Sequence, residues 1–278
     1  MYYNRRGLVK IRDVCMNRLY LLFLTLFTLA ACTGNSTPTQ TIASDPSGIT
    51  WDRNPSTLVF RADIVGGTTD PLITRSEIPP CTIYGDNRVV WTNRLSQYNL
   101  QVLEDRATDE AIRNFVQFMA LNQSYYSYAE RRDNQPLTGA GSPVVETLLL
   151  AVSGDPHLTD AFSGWSLDYY QRVIDNCKAL GLAPVLVEPT AGWLSAQVVP
   201  YDPSVPQIFW DAAANGLRLA EVAQAADRRW IADRNVRVIW AILRESPSNI
   251  IFNEDGNTYR LALEVPNITR ESPAAPQS

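Results

Sequence analysis

Cys32 has the most distinctive chemical surroundings of any residue in this 278-residue chain. Its thiol could form half of a disulfide, bind a metal ion or accept another covalent group. It follows Leu29, Ala30 and Ala31, and the 13 residues from 19 to 31 carry no charge. Such a run is shorter than the about 20 residues that cross a bilayer, and it is typical of the apolar core of a secretory signal peptide. Five basic residues and one acid precede it, which is the flank that stays in the cytosol.

The tetrapeptide Leu29-Ala30-Ala31-Cys32 resembles the bacterial lipobox. In lipoproteins of that kind the cysteine thiol receives a diacylglyceryl group, the leader is cut just before it, and the new amino terminus is usually acylated. The resemblance therefore implies a signal peptide over residues 1–31 and lipidation of Cys32, with the membrane bound through the acyl chains. Two or more acyl chains anchor a protein stably. The alternative is an ordinary secreted protein cut nearby, with Cys32 free or disulfide-bonded.

The residues after Cys32 predict a tether. Residues 32–56 are rich in Thr, Ser, Pro, Gly, Asn and Asp, which bury too little apolar surface to fold. The folded body would then stand off the cell membrane or envelope on the extracytoplasmic side. The last residues, 271–278, are also expected to be disordered.

The charge balance limits the classes of partner. Residues 1–31 hold five of the 24 basic residues and one of the 29 acidic residues, so the rest of the chain carries a formal charge of −9. This argues against a nucleic-acid partner, which would require a basic face. Beyond residue 31 the chain has one lysine, Lys178, and one histidine, His157. A zinc site normally needs several histidine or cysteine ligands, so this composition argues against one. We expect no metal and no cofactor, since no P-loop, GxGxxG, GxSxG or CxxC motif occurs.

Two cysteines remain in the body, Cys81 and Cys177. In an oxidising compartment they can pair, or they can pack as separate buried thiols. The sequence leaves both arrangements open.

Other candidate residues have weaker signals. His157 lies in GDPHLTD, where it could shuttle a proton or bind a metal, but the Gly, Asp and Pro around it favour an exposed turn histidine. Tyr125, Tyr126 and Tyr128 lie in a polar stretch and could contact a ligand, or they could simply pack. The many carboxylates could supply the two acids of a glycosidase, but nothing in the sequence selects a pair.

Short apolar runs and turn signals predict the elements that would position these residues. Alternating residues predict a strand at Leu58–Val65, and Gly, Asp and Asn predict hairpin turns at 85–87 and 254–257. The remaining predictions are strands at 144–152, 185–187, 193–199 and 236–243, helices beginning after Thr108 and Ser166, a helix across 217–230, and a turn across 153–160.

Hairpins and helices in this order predict an α+β fold, with antiparallel sheets and helices packed on one face. The body could divide into two subdomains, 57–199 and 200–270. CTIYGDNRVVW and DGNTYRLALEVP are similar to stretches of uncharacterised bacterial envelope lipoproteins of unknown function, which implies no reaction. We expect a non-enzymatic, lipid-anchored module that binds an envelope protein or a small ligand, or that serves assembly. The alternative is a carboxylate-dependent envelope hydrolase acting on glycans.

Overall fold

The computed structural model describes residues 48–67, 70–131, 143–225 and 228–277, and the statements below concern these ranges. The predicted leader, the lipobox and Cys32 lie outside the described residues. Six α-helices and twelve strands occur in the described part, in sheets of seven and five strands that are mainly antiparallel. The α+β fold predicted from the sequence is therefore confirmed.

The first sheet has the strand order β6-β5-β1-β2-β3-β4-β7, with every neighbouring pair antiparallel. Its strands are β1 (Leu58–Val65), β2 (Cys81–Tyr84), β3 (Arg88–Arg94), β4 (Leu100–Arg106), β5 (Val145–Val152), β6 (Asp155–Asp160) and β7 (Val185–Leu186). The helices along the chain are α1 (Pro71–Ser76), α2 (Asp109–Gln117), α3 (Tyr169–Lys178), α4 (Ala212–Asn215), α5 (Leu219–Gln224) and α6 (Asp233–Glu245).

The second sheet has the order β10-β8-β12-β11-β9, in which only β9 and β11 run parallel. Its strands are β8 (Ala191–Val198), β9 (Gln207–Phe209), β10 (Arg229–Ala232), β11 (Ile251–Glu254) and β12 (Asn257–Glu264). The chain passes from the first sheet to the second between β7 and β8, whereas the sequence predicts a division at residue 200. The described residues from Gly48 onward belong to one compact unit.

The central strands of the first sheet are buried on both faces. In β3, Val89 and Trp91 join a core with α2 and α3, whereas Val90 between them joins a core with the second sheet. This follows from the two-residue period of a strand, which turns successive side chains to opposite faces. Helix α6 contacts β4 of the first sheet and β8, β10 and β12 of the second, so it helps to close the second core.

The β2–β3 hairpin forms where the sequence predicts it. Asn87 adopts a φ of 67°, a conformation that asparagine tolerates, and its backbone N–H donates to the carbonyl of Tyr84 at 3.0 Å. At Gly85 a side chain would collide with the backbone carbonyl of Asp52, so glycine allows the preceding segment to approach the turn.

The folded body begins before residue 57. Trp51 is buried in the first core, and its indole N–H donates to the carbonyl of Gly85 at 3.2 Å. At the other end, the Trp193 indole N–H donates to the carbonyl of Ala274 at 2.9 Å. Parts of the predicted tether and tail therefore contact the body, because Trp51 of the tether donates to the body and Ala274 of the tail accepts from it.

Four predicted elements differ in the structure, and the first is the strand predicted at 236–243. These residues lie in α6, where Val236, Ile239 and Trp240 are buried. They recur three and four residues apart and share one face of a helix, whereas a strand would divide them between two faces. The β-branched composition favours a strand, but strand propensity depends strongly on packing context, and here packing decides for a helix.

The helix predicted across 217–230 is wrong in its second half. Helix α5 ends at Gln224, and residues 229–232 form β10, which pairs with β8. Trp230 lies opposite Trp193 with ring centroids 5.2 Å apart, and such cross-strand aromatic pairs stabilise a sheet.

The turn predicted across 153–160 is a strand for most of its length. Ser153 and Gly154 form a two-residue turn with φ of 56° and 83°, and β6 then pairs with β5, so His157 lies opposite Leu150. The helix predicted to begin after Ser166 begins at Tyr169, with Asp168 at the N-cap.

Cys81 and Cys177 form a disulfide, which resolves the two arrangements that the sequence left open. It joins β2 to α3 across 96 residues, with the Cα atoms 6.4 Å apart and both side chains fully buried. Closing a loop of this length stabilises the fold by about 4.7 kcal/mol in the chain-entropy model.

Among the described helices, none has the length and apolar character needed to cross a membrane.

Replacing both cysteines with alanine should lower the free energy of unfolding by about 4–5 kcal/mol, because the unfolded chain regains the entropy of the open loop. Urea unfolding followed by fluorescence measures this change. Wild-type protein in excess reductant is the matched control and should unfold like the variant. An unfolding midpoint that reductant leaves unchanged would contradict the prediction.

Candidate functional site

A cleft of about 730 Å³ lies between the end of β1, helix α1 and the C-terminal end of α6. Its volume is in the usual range for small-molecule sites, about 300–1,000 Å³. The mouth carries the exposed residues Arg94, Gln97, Tyr98, Val144, Ser248 and Asn249. Its apolar wall is formed by residues such as Ile73, Leu243 and Leu261. The cleft thus combines an apolar surface with charged groups, which are described next.

Arg270 binds both acids of the cleft. Its Nε and one terminal nitrogen each donate to a different oxygen of Asp63 at 2.8 Å, and its other terminal nitrogen donates to Glu77. Asp63 is buried in β1, and its backbone carbonyl also accepts from the Tyr170 hydroxyl at 2.8 Å. Such bidentate, charge-assisted bonds are strong and directional. Each of the two carboxylates therefore has Arg270 as its partner.

The pKa values of this group reflect burial and attraction together. Burial raises the pKa of Glu77, and the attraction of Arg270 only partly offsets that effect. Burial disfavours the charge of Arg270, but Asp63 and Glu77 together raise its pKa above the ordinary value. Burial therefore outweighs attraction at Glu77, whereas the combined attraction of the two acids outweighs burial at Arg270. Glu77 is consequently more easily protonated than an ordinary glutamate.

Arg244 lies in the last turn of α6 and lines the same cleft. Its Nε is buried without a hydrogen-bond partner, and its guanidinium donates to the carbonyl of Ser76 at 3.4 Å. The guanidinium carbon also lies 5.2 Å from the ring centroid of Trp240. Burial lowers the pKa of Arg244 to about 10, so the group stays cationic at neutral pH. A guanidinium carries five donors, and leaving a buried donor unpaired costs about 1–3 kcal/mol.

The tyrosines predicted from the sequence lie elsewhere and do not line the cleft. Tyr125 is fully buried, and its hydroxyl donates to the carbonyls of Leu148 and His157 at 2.9 and 2.6 Å. Tyr126 is 48% exposed, and Tyr128 packs beside the first core. Tyr125 is thus a core residue.

His157 packs between two aromatic rings instead of facing solvent in a turn. Its ring centroid lies 5.1 Å from that of Tyr125 and 5.4 Å from that of Tyr126, and its Nε2 is buried without a hydrogen-bond partner. In the described ranges, no group of three or more His, Cys, Asp or Glu side chains is placed to hold a metal ion.

Comparison with models of known families, with curated proteins and with solved structures finds no match to this chain. The site is therefore assigned from the geometry of the described residues alone.

Sequence reasoning did not select any charged residue of the cleft. Asp63 interrupts the apolar strand LVFRADIV, and Arg244 follows the apolar run VIWAIL, so each is a charge placed where a core residue is expected. That signal could have marked both residues as candidates, because charges are seldom buried without partners. Glu77 and Arg270 have no comparable local signal.

Removing the charge of Glu77 should change how stability depends on pH. Its folded pKa is raised, so the ionised carboxyl disfavours folding, and stability is lost as pH rises from the ordinary 4.5 through the folded value. The free energy of unfolding of wild type minus that of Glu77→Gln should therefore fall across that window. Urea unfolding at a series of pH values measures it, and the subtraction separates Glu77 from Glu264, whose pKa burial also raises.

Asp109→Asn is the matched control, because hydrogen bonds from Arg53 and Asn87 lower the pKa of Asp109 to about 2. The stabilisation that ionised Asp109 provides is present above pH 4 and is lost as pH falls towards 2. Its pH dependence is therefore opposite in sign to that of Glu77 and occurs at lower pH. A Glu77→Gln difference that stays constant from pH 4.5 to 8 would contradict the burial of this carboxyl.

Proposed function

We propose that this protein is a lipid-anchored, extracytoplasmic envelope protein that acts as a non-enzymatic binding module, with the Arg244 cleft as its ligand site. The observation that carries the binding role is the chemistry of the cleft. Both of its acids are bound to Arg270, whereas Arg244 keeps hydrogen-bonding capacity unused. A concave surface that combines apolar residues with one cation that lacks full partners suits recognition of a ligand.

The proposed location is supported by two features of the chain. The lipobox-like sequence Leu29-Ala30-Ala31-Cys32 follows an export-type apolar run, and acylation of Cys32 would anchor the protein. The disulfide between Cys81 and Cys177 is of a kind that persists in oxidising compartments outside the cytosol. Both features fit a body held outside the cytosol by its amino-terminal cysteine.

A glycan hydrolase is the second candidate, and one observation favours it. Glu77 is a carboxyl with a raised pKa in the cleft, as a general acid requires. Its neighbour Asp63 is held bidentately by Arg270, and Tyr98 is the aromatic residue of the lining. The geometry therefore favours binding over hydrolysis, and glycan turnover that depends on Glu77 would reverse this order.

Replacing Cys32 with serine should release the protein from the membrane, because serine cannot accept the thioether-linked lipid. Cell fractionation and immunoblotting measure the distribution, with the wild type expected in the membrane fraction. Intact-mass spectrometry of the wild type should show the acyl chains on a mature protein that begins at Cys32. A variant that remains with the membranes would contradict anchoring through this residue.

Filling the mouth of the cleft should abolish ligand binding. A library of anionic, cationic and neutral fragments should contain compounds that raise the thermal midpoint of the wild type, because binding to the native state stabilises it. Ser248→Trp should lose these shifts, since Ser248 is an exposed residue of the mouth.

Ser56→Trp is the matched control, since Ser56 is exposed and lies outside the lining of the cleft. It should keep the shifts of the wild type. Equal shifts in both tryptophan variants would place binding elsewhere on the protein and contradict the assignment of this cleft.

A further inference from the structure

We propose that the cleft takes a small organic monoanion, a carboxylate with an apolar body, whose charged end binds Arg244. The inference rests on the proposed binding function and specifies the chemical class of the ligand. It follows from three properties of the cleft: the free donors of Arg244, the balance of its charges and the nature of its walls.

The donors of Arg244 match the shape of a carboxylate. Its Nε lies within the protein without a partner, and its one hydrogen bond in the described chain is the long bond to the carbonyl of Ser76. A guanidinium presents Nε–H and a terminal N–H as a planar fork, which fits the two oxygens of a carboxylate. The backbone of α6 and the ring of Trp240 hold the side chain in place. A ligand carboxylate would therefore complete hydrogen bonds that the protein itself leaves unmade.

The charged residues of the lining favour a ligand with a single negative charge. Asp63 and Glu77 are balanced by Arg244 and Arg270, and Arg94 at the mouth adds one positive charge. A monoanion would neutralise the cleft, whereas a dianion would meet two nearby carboxylates with an excess of charge. A cation would find both acids already bound by Arg270. Carboxylates therefore fit better than phosphate monoesters or amines.

The walls select an apolar body. Ile73, Leu243 and Leu261 line the cleft together with the charged group, and Tyr98 is its aromatic residue. Sugar sites use several polar and aromatic contacts, whereas aliphatic walls favour a hydrocarbon chain or ring. A carboxylate attached to such a chain can place its charge on Arg244 and its body against these residues.

Isothermal titration of the full-length protein in nonionic detergent tests the proposal. The probes are hexanoate and three compounds with the same chain: hexanamide, hexylamine and hexyl phosphate, each also titrated into detergent alone. Hexanoate should bind most tightly, since it alone combines a single negative charge with the fork geometry. Tight binding of hexanoate that hexanamide equals would overturn the anionic class while leaving the cleft as a binding site.

Variants then assign the binding to Arg244. Arg244→Gln should weaken hexanoate binding by about tenfold or more, because a charge-assisted pair is lost, and should leave hexanamide binding unchanged. Glu77→Gln should tighten hexanoate binding several-fold, because a like charge is removed. Arg106→Gln is the matched control, since Arg106 is an exposed arginine that pairs with Asp86 outside the cleft. Equal hexanoate affinity in the wild type and Arg244→Gln would overturn the proposal.

The two cleft variants are expected to change hexanoate affinity in opposite directions, which distinguishes a change in binding from a loss of folding. A general loss of folding would weaken binding in both, so tighter binding by Glu77→Gln cannot come from destabilisation. If Arg244→Gln does not fold, Arg244→Lys keeps the charge without the fork and should lie between the wild type and a full loss. Binding of none of the four probes would overturn the proposal, and the fragment screen with Ser248→Trp would then judge the binding function separately.

Discussion

The central strands of the first sheet are buried on both faces, and this burial determines how the other elements pack. Because Val89 and Val90 face opposite cores, the strand needs a packed layer on each side. Helices α2 and α3 cover one face, and α6 with the second sheet covers the other. The disulfide reinforces the first of these layers by tying Cys81 of the sheet to Cys177 of α3.

The cleft forms at the margin of this arrangement. Near the end of β1 the apolar layer gives way to Asp63, whose buried carboxylate must find a cation. Arg270 supplies it from 207 residues further along the chain and binds Glu77 as well. The ion pair therefore fixes the C-terminal segment against the first sheet. Arg270 thus binds both acids of the cleft, and the Nε of Arg244 remains without a hydrogen-bond partner.

The two arginines have different roles: Arg270 stabilises the fold, and Arg244 is the proposed binding group. Breaking the Asp63–Arg270 pair would leave a buried charge without a partner, which is strongly destabilising. Arg244 lies in the last turn of α6, where the helix dipole favours a cation. The cleft thus combines two acids that Arg270 binds with Arg244, whose Nε makes no hydrogen bond and which is the proposed binding group.

Local patterns in the sequence determined the α+β class, strand β1, the two hairpin turns and the capped start of α2 at Thr108, because each depends on residues close together in the chain. Where packing outweighs local preference, as in α6 and β10, the sequence pattern predicts the wrong element. The lipidation of Cys32 stays a prediction. Only the tertiary structure decided the pairing of Cys81 with Cys177, the burial of Tyr125 and the meeting of Asp63, Glu77, Arg244 and Arg270. These residues lie far apart in the chain, and the path of the backbone through two sheets brings them together.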